Sequence, residues 1–390
     1  MKGTIFYIGG FELPDKNAAA LRVLANAYIL RELGYKVVFI GVSKTMYDLT
    51  LERINDFDCY SIPYPNSVFS WVKFIFLKEQ YLKVFKKYDN VSSVILYNHP
   101  SFSTIRMFRY LRKNNIKIYL DLTEWFKGRF KKQIVLDIIK SLDNYLRIKV
   151  LSRKVDGVIS ISKYFYEFFQ KSEVTNHCII PPLVNCDDEK WKRSFQTNRI
   201  RKYIYAGAAF SVKYSGSVKD RLDLVIEAFY KLHLKGEDFH FDVIGCNRED
   251  FLYNFPELKQ SVNELKRKII FHGKKEHSFV LEMLRVADFS IFIRDNTIIT
   301  QAGFPSKFVE SISIGLPVIT NSNSNVKSYV LDEENGYLID EVSEHEIIQT
   351  LNRSLRLSSS KIVEMKKNTA DSKVFHFKNF EGILNNIIEF

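Results

Sequence analysis

Cysteine is scarce in this chain. Cys59, Cys178, Cys186 and Cys246 are the only four in 390 residues, and none stands in a C-x-x-C spacing. That count and spacing exclude a disulfide-stapled scaffold and a cysteine zinc site, and they fit a reducing compartment. Runs of eighteen apolar residues are absent, which excludes a membrane-spanning helix. The opening MKGTIFYIGGFELP goes straight into a strand and a turn, too short in apolar length for a secretory signal and without a small-residue cleavage site. Internal repeats and low-complexity segments are missing as well. So are zinc-finger, RNA-recognition and Gly-rich RNA-clamp motifs, and the dinucleotide fingerprint G-x-G-x-x-G.

What is present suits a folded chain with room for two cores: 46% hydrophobic and 26% charged residues, with aromatics high at 14%. The net charge of +12 and pI near 9.2 call for an anionic partner. Nucleic acid, an anionic membrane surface and a phosphorylated substrate are the candidates, and the first lacks any motif. Basic and aromatic residues interleave in Trp71–Tyr88 and Phe126–Lys149, which the spacing predicts as amphipathic helices able to lie on a membrane. The competing reading is an aromatic face on the core with solvated lysines.

Strand and helix signals alternate along both halves. Strands are predicted at Thr4–Ile8, Lys36–Ile40, Val94–Tyr97, Ile116–Leu120 and Gly157–Ser160, the last strand before a helix, with a helix over Ala18–Leu33 closed by Gly34. A second series is predicted at Tyr203–Tyr205, Phe239–Ile244, Lys268–Phe271, Phe289–Phe292 and Pro317–Thr320. Such alternation predicts two doubly wound α/β domains, each a parallel sheet covered on both faces. The division is expected as 1–182, 183–373 and a C-terminal helical tail over 374–390, with the junction in Ile180–Asn185.

Gly303–Ile319, GFPSKFVESISIGLPVI, is the most informative stretch. Pro305 suits a helix start, Phe308, Val309 and Ile312 recur at helical spacing, and Gly315 with Pro317 ends the helix. Lys307 and Glu310 fall on one face near the helix start, where free N–H groups and the helix dipole attract phosphate. A lysine for the anion and a carboxylate for vicinal ribose hydroxyls make a nucleotide-diphosphate site. A bare K-x-x-E would read instead as a solvated ion pair.

The full pattern G-F-P-x-K-x-x-E followed by small residues, Gly and Pro resembles the donor signature of glycosyltransferase family four, retaining nucleotide-sugar transferases of GT-B fold. The resemblance covers most of the chain and implies two Rossmann-like domains facing a central cleft, an N-terminal acceptor domain and a C-terminal donor domain, with the tail crossing back to the first. Phe304, Pro305, Ser306, Lys307 and Glu310 are then donor-binding. The family commonly carries another glutamate eight positions before Glu310, where this chain has Ala302. Gly9 and Gly10 resemble its N-terminal glycine loop. Tyr203–Phe229 resembles its strand, glycine and basic loop, but the arginine after the glycine is Ala208, leaving Lys213, Lys219 and Arg221 as replacements, with Lys219 or Arg221 favoured by Asp223. His272 and Gly273 sit where the family's loop meets the nucleobase, with a strand-end residue as the plainer reading of His272. Arg294 is a candidate for phosphate or sugar, against a surface ion pair with Asp295.

In the first half, His99, Asp121 and Glu124 end predicted strands and are candidate acceptor contacts. Glu124 occupies the place of a family histidine, and both it and His99 have structural readings as well. The resemblance implies transfer of a hexosyl-type sugar, with retention, from a UDP- or GDP-type donor to a lipid-linked or oligosaccharide acceptor of a bacterial surface polysaccharide. Lys307, Glu310, Arg221 and Glu124 are the expected catalytic set. No cofactor beyond the sugar nucleotide and no metal is called for if these cations neutralise the diphosphate. The expected location is cytoplasmic, peripheral on the inner face of the membrane. A nucleotide-sugar epimerase of the same fold and a non-catalytic binder of sugar nucleotides or anionic lipids are the alternatives.

Overall fold

The apolar run GTIFYIG forms strand β1 (Gly3–Gly9), buried along its whole length, as a strand covered on both faces must be. In the computed structural model, which describes residues 2–45, 49–126, 134–210 and 219–389, it lies inside an eight-stranded sheet. The others are β2 (Tyr35–Ser43), β3 (Leu51–Ile54), β4 (Phe57–Pro63), β5 (Val91–Tyr97), β6 (Lys117–Leu122), β7 (Gly157–Ser160) and β8 (His177–Ile179). Their order is β3-β4-β2-β1-β5-β6-β7-β8, parallel except for the β3–β4 pair.

A second sheet is built from β9 (Arg201–Ala206), β10 (Phe239–Ile244), β11 (Ile269–Gly273), β12 (Phe289–Phe292), β13 (Val318–Asn321) and β14 (Gly336–Ile339). It is parallel throughout, in the order β11-β10-β9-β12-β13-β14. Each sheet reverses its direction of growth beside its first strand, at β1/β5 and at β9/β12. In open α/β sheets such a reversal opens a crevice at the strands' carboxyl ends.

The chain divides into two units. The first comprises residues up to Val184, Ala302–Phe304 and the segment from Phe377 on; the second comprises Asn185–Gln301 and Pro305–His376. The last helix, Glu381–Glu389, sets Leu384, Ile387 and Ile388 into the first unit's core with Ile5, Tyr7 and Ile95. The Tyr119 hydroxyl donates to the Ile388 carbonyl at 2.9 Å. The second core is strongly aromatic: Phe229 packs on Tyr203, Phe239 and Phe241 with ring centroids 4.5–5.1 Å apart, which accounts for part of the high aromatic content.

Three departures from the expected elements stand out. Strands β3 and β4 form a hairpin whose first strand is mostly exposed, so no apolar alternation announces it. A helix, Lys163–Lys171, follows β7 as expected, but the further strand β8 after it was not among the expected strands. Trp71–Tyr88 is not one helix but two, Val68–Ile75 and Glu79–Phe85, the first capped by Ser67 and Ser70. Only Ile75 of the first helix is buried, while Tyr81, Val84 and Phe85 of the second are core residues. Among the described residues no helix is long and apolar enough to cross a membrane.

Candidate active site

The helix Ser306–Ser313 opens directly after Pro305, and Gly315 closes it with φ +79°. Glycine is needed there twice over: the conformation is left-handed, and a Cβ would come within 3.0 Å of the Ala370 Cβ. Phe308, Val309 and Ile312 are buried, as their spacing predicts. Lys307 and Glu310 do not pair with each other; the lysine turns inward toward β9 and the glutamate toward His277. The solvated-pair reading of K-x-x-E is thereby removed.

Lys307 meets Asp220, a carboxylate only 1% exposed that the sequence did not single out. Asp220 also accepts from the Tyr205 hydroxyl at 2.6 Å and from Arg294 Nε at 2.7 Å. Tyr205 lies on β9, Arg294 just past β12, and Lys307 on the helix before β13, so the group converges on the β9/β12 reversal. The Lys307 ammonium lies 3.0 Å from the Tyr205 hydroxyl and 4.1 Å from its ring centroid. A Cβ at Gly207, which follows β9, would lie 2.5 Å from Lys307 Nζ; the glycine leaves room for the lysine. Arg294 is held by reciprocal bonds with Asn321: its N–H donates to Asn321 Oδ1, and Asn321 Nδ2 donates to its carbonyl, both at 2.9 Å. Its Nη groups donate to none of the described residues.

Burial opposes the charge on Asp220, but Lys307 and Arg294 outweigh it and hold the carboxyl well below its usual range. Burial pushes Lys307 down to about 8; Asp220 works against that shift, and Arg294 and Lys219 add to it. Two cations therefore share one anion, and the cluster keeps one positive charge unmatched.

Residues 208–371 match the family model of glycosyl transferases group 1. Solved structures with the same fold over nearly the whole chain include sucrose-phosphate synthase from Thermosynechococcus elongatus, with TM-score 0.73, 13% identity and coverage of 99% of this chain and 98% of that one. HepE from Anabaena, solved with UDP and glucose, has TM-score 0.66, 11% identity and 99% coverage of both chains. The catalytic domain of starch synthase IV from Arabidopsis thaliana, bound to ADP and acarbose, has TM-score 0.70, 10% identity and coverage of 100% and 99%. No curated protein matches at the level of sequence. Over residues 208–371 the chain is similar to glycosyl transferases group 1, and its fold is GT-B.

Within residues 208–371 the remaining candidates separate. Glu310 Oε1 lies 3.6 Å from His277 Nε2, a nitrogen without a hydrogen-bond partner at the start of the helix His277–Val286. Arg221 is committed to protein carboxylates, Asp223 at 2.7 Å and Asp295 at 3.1 Å, and Asp223 first of all raises its pKa. Arg221, expected on the diphosphate, is thus an ion-paired helix N-cap, while Arg294 belongs to Asp220 and not to Asp295. Lys219 is exposed beside Asp220, and Lys213 lies outside the described residues. His272 bonds Asp242 of the neighbouring strand at 2.6 Å, and Gly273, with φ +64°, turns the chain after β11. Phe304 and Pro305 are buried, and Ser306 is the first residue of the helix Ser306–Ser313.

In the other unit, a Cβ at Gly9 would lie 2.5 Å from the Tyr97 carbonyl oxygen, so the glycine serves strand contact at the β1/β5 reversal; Gly10 faces open space. His99 is buried, with Nε2 on Ser103 at 3.0 Å, and burial with Arg147 nearby pushes it down to about 3. Asp121 is fully buried and bonded by Arg22 at 2.7 Å and Tyr7 at 2.5 Å. Neither has surface left to hold an acceptor; of the three expected contacts, Glu124 alone is exposed. Glu12, which the sequence did not flag, lines a cavity of about 250 Å³ with Lys16, Ser43, Thr45 and Ser61. Among the described residues no group of three or more His, Cys, Asp or Glu is placed to hold a metal ion.

Proposed function

We propose that this chain is a retaining glycosyltransferase that takes a hexosyl-type sugar from a nucleoside-diphosphate donor. The observation that carries the reading is the unmatched positive charge of the Lys307–Asp220–Arg294 cluster at the strand reversal of a group 1 domain. The donor diphosphate sits against Lys307 and Arg294, and Glu310, one helical turn on, accepts from the ribose hydroxyls. Capture of UDP by HepE and of ADP by starch synthase IV supports a nucleoside diphosphate as the ligand class.

In the proposed reaction the bond from the anomeric carbon to the phosphate oxygen breaks. The acceptor oxygen bonds to the same carbon from the same face, and its proton passes to the leaving phosphate. No protein base is required. The chain stabilises the charge that develops on the diphosphate, a preorganised electrostatic effect, and the two cations supply it without a metal. The acceptor is a lipid-linked or oligosaccharide hydroxyl.

A peripheral site at the inner face of the membrane accompanies this reading. Between Tyr64 and Lys113 nine Lys or Arg stand against two acids. Val68 and Phe69 are 61% and 71% exposed on their helix, and Ile138, Leu142 and Tyr145 form a half-exposed stripe at helical spacing on Ile134–Tyr145. Lys140, 5.3 Å from the Trp71 ring, links the two helices. Apolar side chains among cations suit an anionic lipid surface.

The reading is tested by a thermal-shift screen of UDP-, GDP-, ADP- and TDP-sugars, followed by transfer assays with the sugar that stabilises the protein. A ligand at a hundredfold its dissociation constant stabilises by about 2.7 kcal/mol. Turnover of the donor without any acceptor, giving an epimer, would instead favour the epimerase.

A further inference from the structure

We propose that Asp220 is a positioning residue of the donor site, whose buried carboxylate holds Lys307 and Arg294 as a fixed cation pair with one charge left for the diphosphate. The inference rests on the donor-site reading above and adds a residue that never touches the substrate.

Three segments meet on this one carboxylate: Tyr205 from β9, Arg294 from the end of β12 and Lys307 from the donor helix. A carboxylate 1% exposed is stable only among cations and donors, so its position fixes theirs. It is outnumbered, however. A purely structural ion pair needs one cation, and here there are two. Arg294 spends only Nε on Asp220 and keeps its Nη amino groups unengaged among the described residues, an unusual state for a buried guanidinium and one suited to a phosphate fork. Gly207, with no room for a Cβ beside Lys307 Nζ, keeps the lysine's path open.

The charges around Lys307 also assign Asp220 an electrostatic task. Burial, Arg294 and Lys219 all favour the neutral amine, the Tyr205 hydroxyl is a neutral neighbour, and Asp220 is the group that favours the ammonium. Without the carboxylate, the lysine would lose its proton at lower pH and the site would lose a cation.

The test uses the full chain. Lysine labelled at Cε is titrated by NMR, with Lys307 assigned from Lys307→Arg, in wild type, Asp220→Asn and Asp220→Glu. Calorimetry then gives the Kd of UDP, GDP and ADP across pH values on both sides of 8. In Asp220→Asn the Lys307 midpoint is expected to fall by about one pH unit or more, which weakens diphosphate binding about tenfold above pH 8. At acid pH, where Lys307 is charged in both proteins, binding should equal or exceed that of wild type. In Asp220→Glu the midpoint should stay near wild type while the Kd rises severalfold at every pH, because the charge is kept and the reach is not.

A Lys307 midpoint unmoved by Asp220→Asn, or a loss of affinity equal at all pH values, overturns the proposal. If Asp220→Asn does not melt cooperatively, Asp220→Glu decides: wild-type affinity in that variant overturns the positioning role. Failure of the donor reading looks different. None of the nucleotides would then bind wild type, although the Lys307 titration still follows Asp220.

Discussion

Each unit buries an aspartate among cations near the carboxyl end of its sheet, but the two centres are balanced differently. In the first, Asp121 meets one arginine. Arg22 places Nε and Nη2 on the carboxylate and Nη1 on the Ile180 carbonyl at 2.6 Å, and the Tyr7 hydroxyl completes the shell. In the second, Asp220 meets two cations, and Arg294 keeps donors in reserve. A neutral, saturated centre ties a helix to a sheet. A centre with surplus charge is, on the proposed reading, completed by an anionic ligand. Burial and ion pairing alone do not separate structural from functional charges; stoichiometry and unspent donors do.

The sharpest way to break this comparison is to remove one cation from each centre. Arg22→Ala leaves Asp121 buried and unpaired, and loss of one partner from a buried pair costs about 3–5 kcal/mol. Lys307→Met leaves Asp220 with Arg294 and Tyr205, a balanced shell, so chemical denaturation should show a small change. Equal destabilisation by the two substitutions would erase the distinction.

The next largest effect is on turnover. Lys307→Met should lower kcat by about 100- to 1000-fold, the range for loss of one preorganised charge-stabilising group. In wild type the same lysine gives a pH dependence of known sign. Its ammonium is present below about 8 and lost above it, so diphosphate affinity should fall as pH rises through that value. A rise would exclude Lys307 from the anion site.

Glu310→Ala should weaken donor binding by about 1.5–3 kcal/mol, a charged hydrogen-bond partner being lost, with the fold intact. Calorimetry with the donor found by screening reads it, and unchanged affinity removes the ribose contact. The smallest effect concerns the membrane face. Each lysine near an anionic surface is worth about 1 kcal/mol, screened by salt over roughly 8 Å. Reversing Lys73, Lys78 and Lys140 to Glu should reduce co-sedimentation with phosphatidylserine vesicles while transfer to a soluble acceptor persists. Binding that survives reversal would mark this face as merely solvated.

The alternation of strand and helix made both sheets legible, because buried parallel strands must be apolar runs. The exposed β3, its partner β4 with polar residues interspersed, and the short β8 and β14 carry no such run and were missed. The helix Ser306–Ser313 was legible from Pro305, Gly315 and the spacing of Phe308, Val309 and Ile312. Lys307 and Glu310 followed from it, but the partners of Lys307 did not. Asp220 sits beside Lys219 and Arg221 in a stretch that reads as a basic loop, and only the fold shows that it turns inward while Arg221 turns to Asp223 and Asp295. His99 and Asp121 were plausible at strand ends for a general reason: a polar residue there is either a ligand contact or a buried anchor, and the sequence pattern is the same. Gly207 had a visible signal, a glycine ending a strand, but its reason lies 100 residues away in Lys307.

On the proposed reading, the surplus charge of the second centre exists for a diphosphate. Calorimetric titration of wild type and Lys307→Met with UDP, GDP and ADP, each set against its own nucleoside, tests it most directly. For one base the diphosphate should bind wild type at least about tenfold tighter than the nucleoside, about 1.4 kcal/mol. Most of this advantage should disappear in Lys307→Met while nucleoside binding is retained. Equal binding of nucleoside and diphosphate by wild type, or an advantage that Lys307→Met leaves intact, would contradict it.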